Sequence, residues 1–350
     1  MRRYHNLFQT LASPEHLFLA WEAFRRGKGA REDVQRFEFA LEENIFALLH
    51  DLRSRSYKHG PYHAFLVHDP KTRRIHRATV RDRVLHHALV LALNPVFEPS
   101  FIAHSFACRR GKGTHRGVRS LDAMLRSVSR NGTRACHVLK CDISRFYASV
   151  RHDTLLHILE RTLCDEEMLR LVREVVSSFT AGYSNPGEAP RGLPLGNLTS
   201  QLFANVYLHE LDMVIKHQLR VRHYVRYMDD FAIVSDDPVY LESLLPSVRM
   251  FIDRALGLTL HPRKVTIRKF RQGIDWLGYV LLPGHRGVRR STRRRMFRVL
   301  RGRVQECNAG VRTRESVEQS LQSYRGVLKH ANTFRIGQEL QNNCWFWLGE

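Results

Sequence analysis

The sequence lacks the features that mark several common protein classes. It has no run of eighteen apolar residues, and its opening residues have no apolar core, so neither a membrane span nor a signal peptide is predicted. The six cysteines are scattered, without a Cys-x-x-Cys pair or zinc-ligand spacing, and no His-Glu-x-x-His motif accompanies the twenty histidines. We therefore expect a cytoplasmic protein with reduced thiols, no membrane partner and no histidine-based metal site.

Acidic residues are also few. The chain of 350 residues has 34 Asp and Glu against 56 Lys and Arg, a formal net charge of +22. Such an excess predicts a polyanionic partner, and because arginine far outnumbers lysine, phosphate groups of a nucleic acid are favoured over a membrane surface. A hydrophobic content of 43% suffices for a core divided between two or three packed units.

The most informative of the acids that are present form a pair, Asp229 and Asp230. They follow Tyr227 and Met228 within residues 223–235, where β-rich stretches flank the acids on both sides, a pattern that predicts a hairpin with the carboxylates at its tip. Adjacent carboxylates repel each other, and a divalent metal ion would remove this cost. An isolated Asp-Asp is more often a solvated turn, but here the apolar flanks bury the base of the turn.

Asp142 ends a second short apolar stretch, residues 137–143. Phosphoryl transfer by two metal ions about 3.5 to 4 Å apart needs carboxylates that converge from separate strands. Asp142 and the Asp229-Asp230 pair suit that geometry. Alternatively, Asp142 is a turn acid or the cap of the next helix.

The pattern of apolar residues divides the chain into alternating helical and extended segments. Helices are predicted within residues 13–55 with a break at 27–29, at 80–93 before Pro95, at 117–129, after the acids 165–167, at 197–208 and at 241–256. Extended segments are predicted at 57–75, 257–267 and 274–281, a basic loop at 108–114 and a Gly/Pro-rich loop at 182–196.

The composition of the chain changes after Pro283-Gly284, which predicts a domain boundary there. Residues 286–303 include nine arginines. On a helix, one side would carry Arg290, Arg294, Arg298 and Arg301, and the opposite side Met296, Val299, Leu300 and Val304. A solvated cationic face is the simple interpretation, whereas a surface that follows a phosphate backbone would make binding steeply dependent on salt.

Several of these motifs, taken in order, resemble those of a reverse transcriptase. They are Asp142 with Tyr147 five residues later, Gly-Leu-Pro-Leu-Gly at 192–196, Tyr-Met-Asp-Asp at 227–230, Leu-Thr-Leu-His-Pro-Arg-Lys at 258–264 and Trp-Leu-Gly-Tyr at 276–279. The segment Gly192 to Gln201 carries Leu195 where most members have Gln, and Ser200-Gln201 where intron-type enzymes have Ser-Pro. In this it resembles the reverse transcriptases of diversity-generating retroelements, as do 60–62, 107–109, 112–115 and 200–207.

The resemblance implies an α+β right-hand polymerase. Residues 1–60 would be the helical start of the fingers, 61–135 the rest of the fingers, 136–283 a palm of antiparallel sheet backed by helices with an insertion at 160–190, and 284–350 a short, basic, helical thumb. The implied activity is error-prone copying of a template-repeat RNA into cDNA, with errors at adenines. Implied partners are template RNA, primer or cDNA, dNTPs and a small basic pentameric accessory protein in a prokaryotic or phage setting.

The resemblance also implies roles for individual residues. Asp142, Asp229 and Asp230, with the backbone at Ile143, would hold two Mg²⁺ ions, which Mn²⁺ can replace. Nucleotide contacts are implied for Arg73, Arg83, Tyr147, Leu195, Gly196, Gln201 and Lys264. Nucleic-acid contacts are expected from Arg109, Arg110, Lys112, Tyr227, Met228, Trp276, Gly278, Arg290, Arg294, Arg298 and Arg301.

Some of these roles are specific. Tyr147 would exclude a 2′-hydroxyl, Arg73 would contact the triphosphate with help from Arg83 or Arg109, and Lys264 would protonate pyrophosphate. Alternatively, Tyr147 is an aromatic residue of the core, and Lys264 is a solvated lysine. The arginines would then pair with a nucleic-acid backbone or with a structural carboxylate. Leu195 offers contact area but no hydrogen bond, which would loosen discrimination between base pairs, unless it only packs the loop.

Two other functions remain open. One is an antiphage, retron-like or intron-derived reverse transcriptase that copies a different RNA. The other is a catalytically silent nucleic-acid scaffold, which the complete set of acids disfavours.

Overall fold

The amino-terminal part of the chain is mainly helical. The computed structural model describes residues 3–69, 71–182 and 189–349, so the middle of the predicted Gly/Pro-rich loop, 183–188, lies outside the described residues. The elements here are α1 (Leu7–Leu11), α2 (Pro14–Arg25), α3 (Glu32–Phe39), α4 (Leu41–Arg53), β1 (His63–Val67), β2 (Arg73–Arg77) and α5 (Val80–Phe97). Strands β1 and β2 form an antiparallel hairpin, and α5 packs against α2.

Helix α5 shows that the predicted end before Pro95 is wrong. The helix continues through Pro95 to Phe97. Pro95 is exposed, whereas Val96 and Phe97 are buried in the core. The ring therefore faces solvent, and burial of the next two side chains stabilises the last turn despite the missing backbone donor.

The middle of the chain forms a central antiparallel sheet with helices around it. In chain order the elements are α6 (Thr114–Val128), β3 (His137–Asp142), α7 (Phe146–Ser149), α8 (His152–Glu160), α9 (Glu166–Ser177), α10 (Leu198–Met213), β4 (Tyr224–Tyr227), β5 (Asp230–Ser235), α11 (Pro238–Arg254) and β6 (Thr266–Lys269). The strand order is β4-β5-β3-β6. The predicted hairpin at 223–235 and strand at 137–143 are confirmed.

Both faces of strands β3, β4 and β5 are buried, because successive side chains alternate between two cores. Leu139 on β3 and Phe231 and Ile233 on β5 belong to a large core that also contains the amino-terminal helices, α8, α10 and α11. Val138 and Val234 point to a second core, shared with α6 and with the small sheet described next. Packing on both faces fixes the register of β3 against β5.

The last part of the chain comprises β7 (Ile274–Trp276), β8 (Tyr279–Leu282), β9 (His285–Val288), α12 (Arg290–Asn308), α13 (Arg314–Leu328) and α14 (Phe334–Gly349). The prediction of a single strand at 274–281 is wrong, because Leu277 and Gly278, with φ of 48° and 89°, turn the chain between β7 and β8. Pro283-Gly284 forms the turn between β8 and β9 rather than a linker.

Helix α12 has the predicted amphipathic character. Met296, Leu300 and Val304 are buried in a core formed with α13 and α14. The opposite side of the helix is exposed at Arg290, Arg294, Arg298 and Arg301. The helix begins at Arg290, after residues 285–288 form β9.

The structure also bears on the predicted state of the cysteines and on membrane-spanning helices. All six cysteines are free. Within the described part of the chain, no helix combines the length and apolarity needed to cross a bilayer.

Trp276 corrects one prediction about nucleic-acid contacts. Its side chain is completely buried in the second core, where Lys140 Nζ lies 5.8 Å from the ring centroid. The indole ring cannot contact a nucleic acid from this position, so its direct role is packing.

We predict that Trp276→Ala costs about 3–5 kcal/mol of unfolding free energy, because it leaves a large cavity. Trp276→Phe should cost less and leave RNA affinity unchanged. Urea unfolding and filter binding of labelled RNA measure the two quantities. A loss of RNA affinity by the folded Trp276→Phe protein would show that the ring contacts nucleic acid after all.

Candidate active site

The predicted carboxylates meet at one end of the central sheet. Asp142, the last residue of β3, is the register partner of Asp230, the first residue of β5. Asp229 precedes it in the turn from β4, and its backbone carbonyl accepts a hydrogen bond of 3.2 Å from the Ile143 amide. Antiparallel pairing thus brings together acids that lie far apart in the sequence.

The turn that carries Asp229 has an unusual backbone. Met228 and Asp229 connect β4 to β5, and Met228 has φ of 55°, a left-handed value that few non-glycine residues adopt. Its side chain is 7% exposed, and its sulfur accepts a hydrogen bond of 3.7 Å from the Tyr147 hydroxyl. The strained residue is therefore held by its surroundings, as is usual at functional sites.

The pKa values of Asp229 and Asp230 are both raised above the usual value for a carboxyl group. Burial, followed by the charges of Asp230 and Asp142, raises the pKa of Asp229 to about 6. Burial also raises the pKa of Asp230, where Lys140 acts in the opposite direction. A positive charge close to these groups would stabilise their ionised forms.

Lys264 already supplies one positive charge. Its ammonium group donates to both oxygens of Asp142, at 2.9 and 2.8 Å. The loop before Lys264 is fixed to the same place, because the His261 amide donates to the Asp142 carbonyl at 2.8 Å. Asp142, Asp230, Lys264 and Lys140 line one cleft of about 170 Å³.

The donor set suits hard divalent cations, which prefer carboxylate oxygens. Among the described residues, however, no three His, Cys, Asp or Glu side chains are arranged as a ready-made metal site. The ammonium group of Lys264 is bound where Asp142 would offer its oxygens to a cation. The residues therefore fit a metal ion, provided that Lys264 releases the carboxylate.

The predicted nucleotide-binding residues lie on neighbouring elements. Tyr147 is half-buried, with its pKa raised by burial and by the nearby Cys108 and Asp229. Arg73 is exposed on β2, and its charge acts on the Tyr147 hydroxyl in the opposite direction. Phe146, by contrast, is buried in the core as expected.

The loop before α10 is attached to the β1–β2 hairpin. The Leu195 carbonyl accepts a hydrogen bond of 2.9 Å from the His76 amide, and the Leu195 side chain is half-buried. Gly196 has φ of 113°, and a Cβ atom there would lie 2.8 Å from Ile75. Gln201 is half-buried in the first turn of α10. Leu195 is thus held by its backbone next to β2.

Two predicted arginines have internal partners instead. The Arg83 guanidinium pairs with Asp33 at 2.5 Å, and its side chain is only 12% exposed. The Arg109 side chain is 5% exposed and pairs with Glu98 at 2.9 Å. Both guanidinium groups therefore pair with a structural carboxylate in this structure, and their contacts with triphosphate or nucleic acid stay predictions.

The other residues predicted to contact nucleic acid have different surroundings. Arg110 is exposed, and the Lys112 ammonium donates to the Ala103 carbonyl at 2.8 Å. The Tyr227 hydroxyl lies 3.1 Å from the hydroxyl of Thr114. Gly278 accepts at its carbonyl a hydrogen bond of 2.9 Å from the Arg289 amide, which joins the β7–β8 turn to the start of α12.

Sequence reasoning missed a buried polar cluster beneath the turn. Arg226 on β4 and Asp212 on α10 are both completely buried and form an ion pair with Nη2–Oδ2 at 2.6 Å. The sequence does contain a signal for this cluster: the mainly apolar segments that form β4 and α10 each carry a charged residue at a position that faces the core.

Comparison with known proteins places the chain in a family. The family described as reverse transcriptase (RNA-dependent DNA polymerase) matches residues 62–281. Protein YkfC of Escherichia coli K12 is 25% identical over 345 residues, covering 85% of this chain and 87% of YkfC. The group II intron-encoded protein LtrA of Lactococcus lactis is 22% identical over 372 residues, and the match spans 85% of this chain but 60% of LtrA.

We predict that Asp229→Asn stabilises the metal-free protein. The folded state raises the pKa of Asp229 from 3.8 to about 6, so it binds the proton more tightly than the unfolded state does. Stability from this group is therefore lost as pH rises from about 4 to 6. At pH 7.5 in EDTA the variant should gain about 1–2 kcal/mol in unfolding free energy, and Mg²⁺ should stabilise the wild type more than the variant.

Urea unfolding between pH 4.5 and 7.5 measures this difference, which should grow with pH. Asp236→Asn, at the exposed end of the same hairpin, is the matched control and should have no such effect. Equal unfolding free energies of wild type and Asp229→Asn at pH 7.5 without metal would contradict the prediction.

Proposed function

The chain belongs to the reverse transcriptase family of RNA-directed DNA polymerases, and from that premise we propose that Asp142, Asp229 and Asp230 form its catalytic centre. The observation that carries the proposal is the pairing of Asp142 with Asp230, with Asp229 in the adjoining turn. In a right-hand polymerase arrangement, the amino-terminal helices and the β1–β2 hairpin would be the fingers, the central sheet the palm and α12–α14 the thumb.

The three carboxylates, with the backbone at Ile143, would hold two Mg²⁺ ions, which when bound activate the primer hydroxyl and neutralise the leaving group. Asp142 ends β3 and Asp229 lies in the turn between β4 and β5, so the two carboxylates come from separate segments, as this chemistry requires. Lys264 moves from Asp142 to the departing pyrophosphate and donates its proton there. Its side chain is 42% exposed, which leaves it room to move.

The incoming nucleotide would lie between the turn and β2. Arg73 contacts its triphosphate, and Tyr147 presses on the sugar, so that a 2′-hydroxyl is excluded. Leu195, Gly196 and Gln201 border the nascent base pair. The attachment of Leu195 to His76 on β2 supports this placement, since it brings the loop next to the strand that carries Arg73.

Nucleic acid would follow the positive surface of α12. Arg290, Arg294, Arg298 and Arg301 are exposed on one side of this helix. Arg110 and Lys112 would extend the contact toward α6, with Tyr227, Met228 and Gly278 nearby. The net charge of +22 supports binding of template RNA and a primer or cDNA strand.

The finer biological role we propose is mutagenic cDNA synthesis in a diversity-generating retroelement. Leu195 and Ser200-Gln201 support this assignment, because they depart from the intron-type pattern. The pentameric basic accessory protein would bind the amino-terminal helices, where Phe39 is 96% and Phe46 50% exposed beside the exposed acids Glu42 and Glu43.

A second candidate is an intron-derived reverse transcriptase, which the similarity to LtrA favours. The genomic neighbourhood separates the two roles. A template repeat with a matching variable repeat near the gene is expected for a retroelement, whereas a surrounding intron RNA would favour the second candidate.

Catalysis by the acid cluster predicts that Asp229→Asn abolishes cDNA synthesis and leaves RNA binding intact. Incorporation of dNTPs on a primed RNA template with Mg²⁺, together with filter binding, measures both. Asp236→Asn is again the control and should retain activity. A scaffold without catalytic activity would bind RNA but incorporate no dNTPs even as wild type, and an active Asp229→Asn would place the active site elsewhere.

The proposed position of Leu195 beside the nascent base pair predicts that this residue influences the error spectrum. Leu195→Gln supplies a hydrogen-bonding amide beside the nascent pair and should lower misincorporation at template adenines by about tenfold, which corresponds to roughly 1.4 kcal/mol. Deep sequencing of cDNA from a defined template measures the error rate. Leu195→Met, which adds no amide, is the control, and an unchanged spectrum for Leu195→Gln would refute the fidelity role.

A further inference from the structure

Arg226 and Asp212 form a buried cluster beneath the turn that carries Asp229, and packing alone does not require its geometry. The Arg226 guanidinium binds Asp212 through two parallel hydrogen bonds, Nε–Oδ1 at 2.7 Å and Nη2–Oδ2 at 2.6 Å. The Tyr224 hydroxyl donates to the same carboxylate at 2.7 Å. All three side chains are completely buried.

The remaining guanidinium nitrogen faces the turn. Arg226 Nη1 donates to the Met228 carbonyl at 3.3 Å and lies 3.4 Å from Asn205 Oδ1. The peptide group that contains the Met228 carbonyl also contains the Asp229 amide. A side chain anchored on α10 therefore holds the backbone from which the Asp229 carboxylate extends.

The backbone of Arg226 is tied to a third segment. Its amide donates to the His104 carbonyl and its carbonyl accepts from the Phe106 amide, both at 3.0 Å, so residues 104–106 cover the outer edge of β4. Asn205 completes the connection, because its amide donates to the Ala107 carbonyl at 3.0 Å. Arg226 thus links α10, residues 104–107 and the turn.

A buried ion pair is an inefficient way to stabilise a core. Desolvation offsets most of the attraction, and apolar side chains of similar volume often serve as well or better. An apolar side chain at position 226, however, could not donate to the Met228 carbonyl. Met228 needs such restraint, because its φ of 55° is unfavourable for a residue with a side chain.

We propose that Arg226 is a positioning residue for DNA synthesis: held by Asp212, it fixes the Met228 carbonyl and so sets the orientation of the Asp229 carboxylate. The inference rests on the proposed catalytic role of Asp229. It assigns to the Arg226–Asp212 pair a function in the rate of nucleotide transfer that is separate from its contribution to folding.

The test separates positioning from stability by replacing the whole cluster with apolar residues. The triple variant Tyr224→Phe, Asp212→Leu, Arg226→Met leaves no buried charge and should fold. We expect its kcat for primer extension to fall by about 10–100-fold, the usual effect of losing a group that orients a metal ligand, with KM for dNTP almost unchanged. Its affinity for Mn²⁺, measured by electron paramagnetic resonance, should fall as well.

Tyr224→Phe alone is the matched control. It removes one hydroxyl group and leaves the Arg226 contacts with Asp212 and Met228, so kcat should stay close to that of the wild type. A folded triple variant with wild-type kcat and Mn²⁺ affinity would overturn the proposal, since the cluster would then be only structural.

Arg226→Lys keeps the assay informative if the triple variant does not fold. Lysine preserves the charge opposite Asp212, but its single ammonium group cannot span Asp212 and the Met228 carbonyl as the guanidinium does. The expected result is a folded protein with lowered kcat and unchanged KM; an unchanged kcat would overturn the proposal. Asp229→Asn in the same assay separates the positioning role of Arg226 from the proposed catalytic centre. If Asp229→Asn is active, the catalytic centre itself is refuted.

Discussion

Repulsion among Asp142, Asp229 and Asp230 is the constraint on which this structure depends. The pairing of β3 with β5 forces these acids together in a partly buried position, where burial and mutual repulsion raise the pKa of Asp229 and Asp230. Lys264 offsets part of this cost by binding both oxygens of Asp142. A cation bound beside these groups would favour the ionised forms of Asp229 and Asp230.

The surrounding fold makes this unfavourable arrangement rigid. Strands β3, β4 and β5 of the central sheet are buried on both faces, so the register that aligns Asp142 with Asp230 cannot slip without exposing apolar side chains. The turn is held from below by Arg226 and contacted by Tyr147. Rigid support is what two-metal chemistry demands, because small displacements of the reacting groups are costly in rate.

Much of this organisation could be predicted from the sequence, in segments where the apolar residues follow one clear pattern. The β-rich stretches around Asp229 predict the hairpin, the short apolar run before Asp142 predicts a strand, and helical spacing predicts the amphipathic pattern of α12. Pairings between distant residues could not be predicted in this way. Arg109 with Glu98, Arg83 with Asp33 and Arg226 with Asp212 depend on tertiary packing, and the same packing carries α5 through Pro95 and buries Trp276.

Anomalous diffraction from the protein crystallised with primed template RNA, a dNTP and Mn²⁺ would show directly whether the three carboxylates hold two metal ions. We expect two manganese peaks about 3.5–4 Å apart, beside the carboxylates of Asp142 and Asp229, with the Lys264 ammonium displaced from Asp142. Peaks elsewhere, or Lys264 still bound to both Asp142 oxygens in a complex that contains the dNTP, would contradict this expectation.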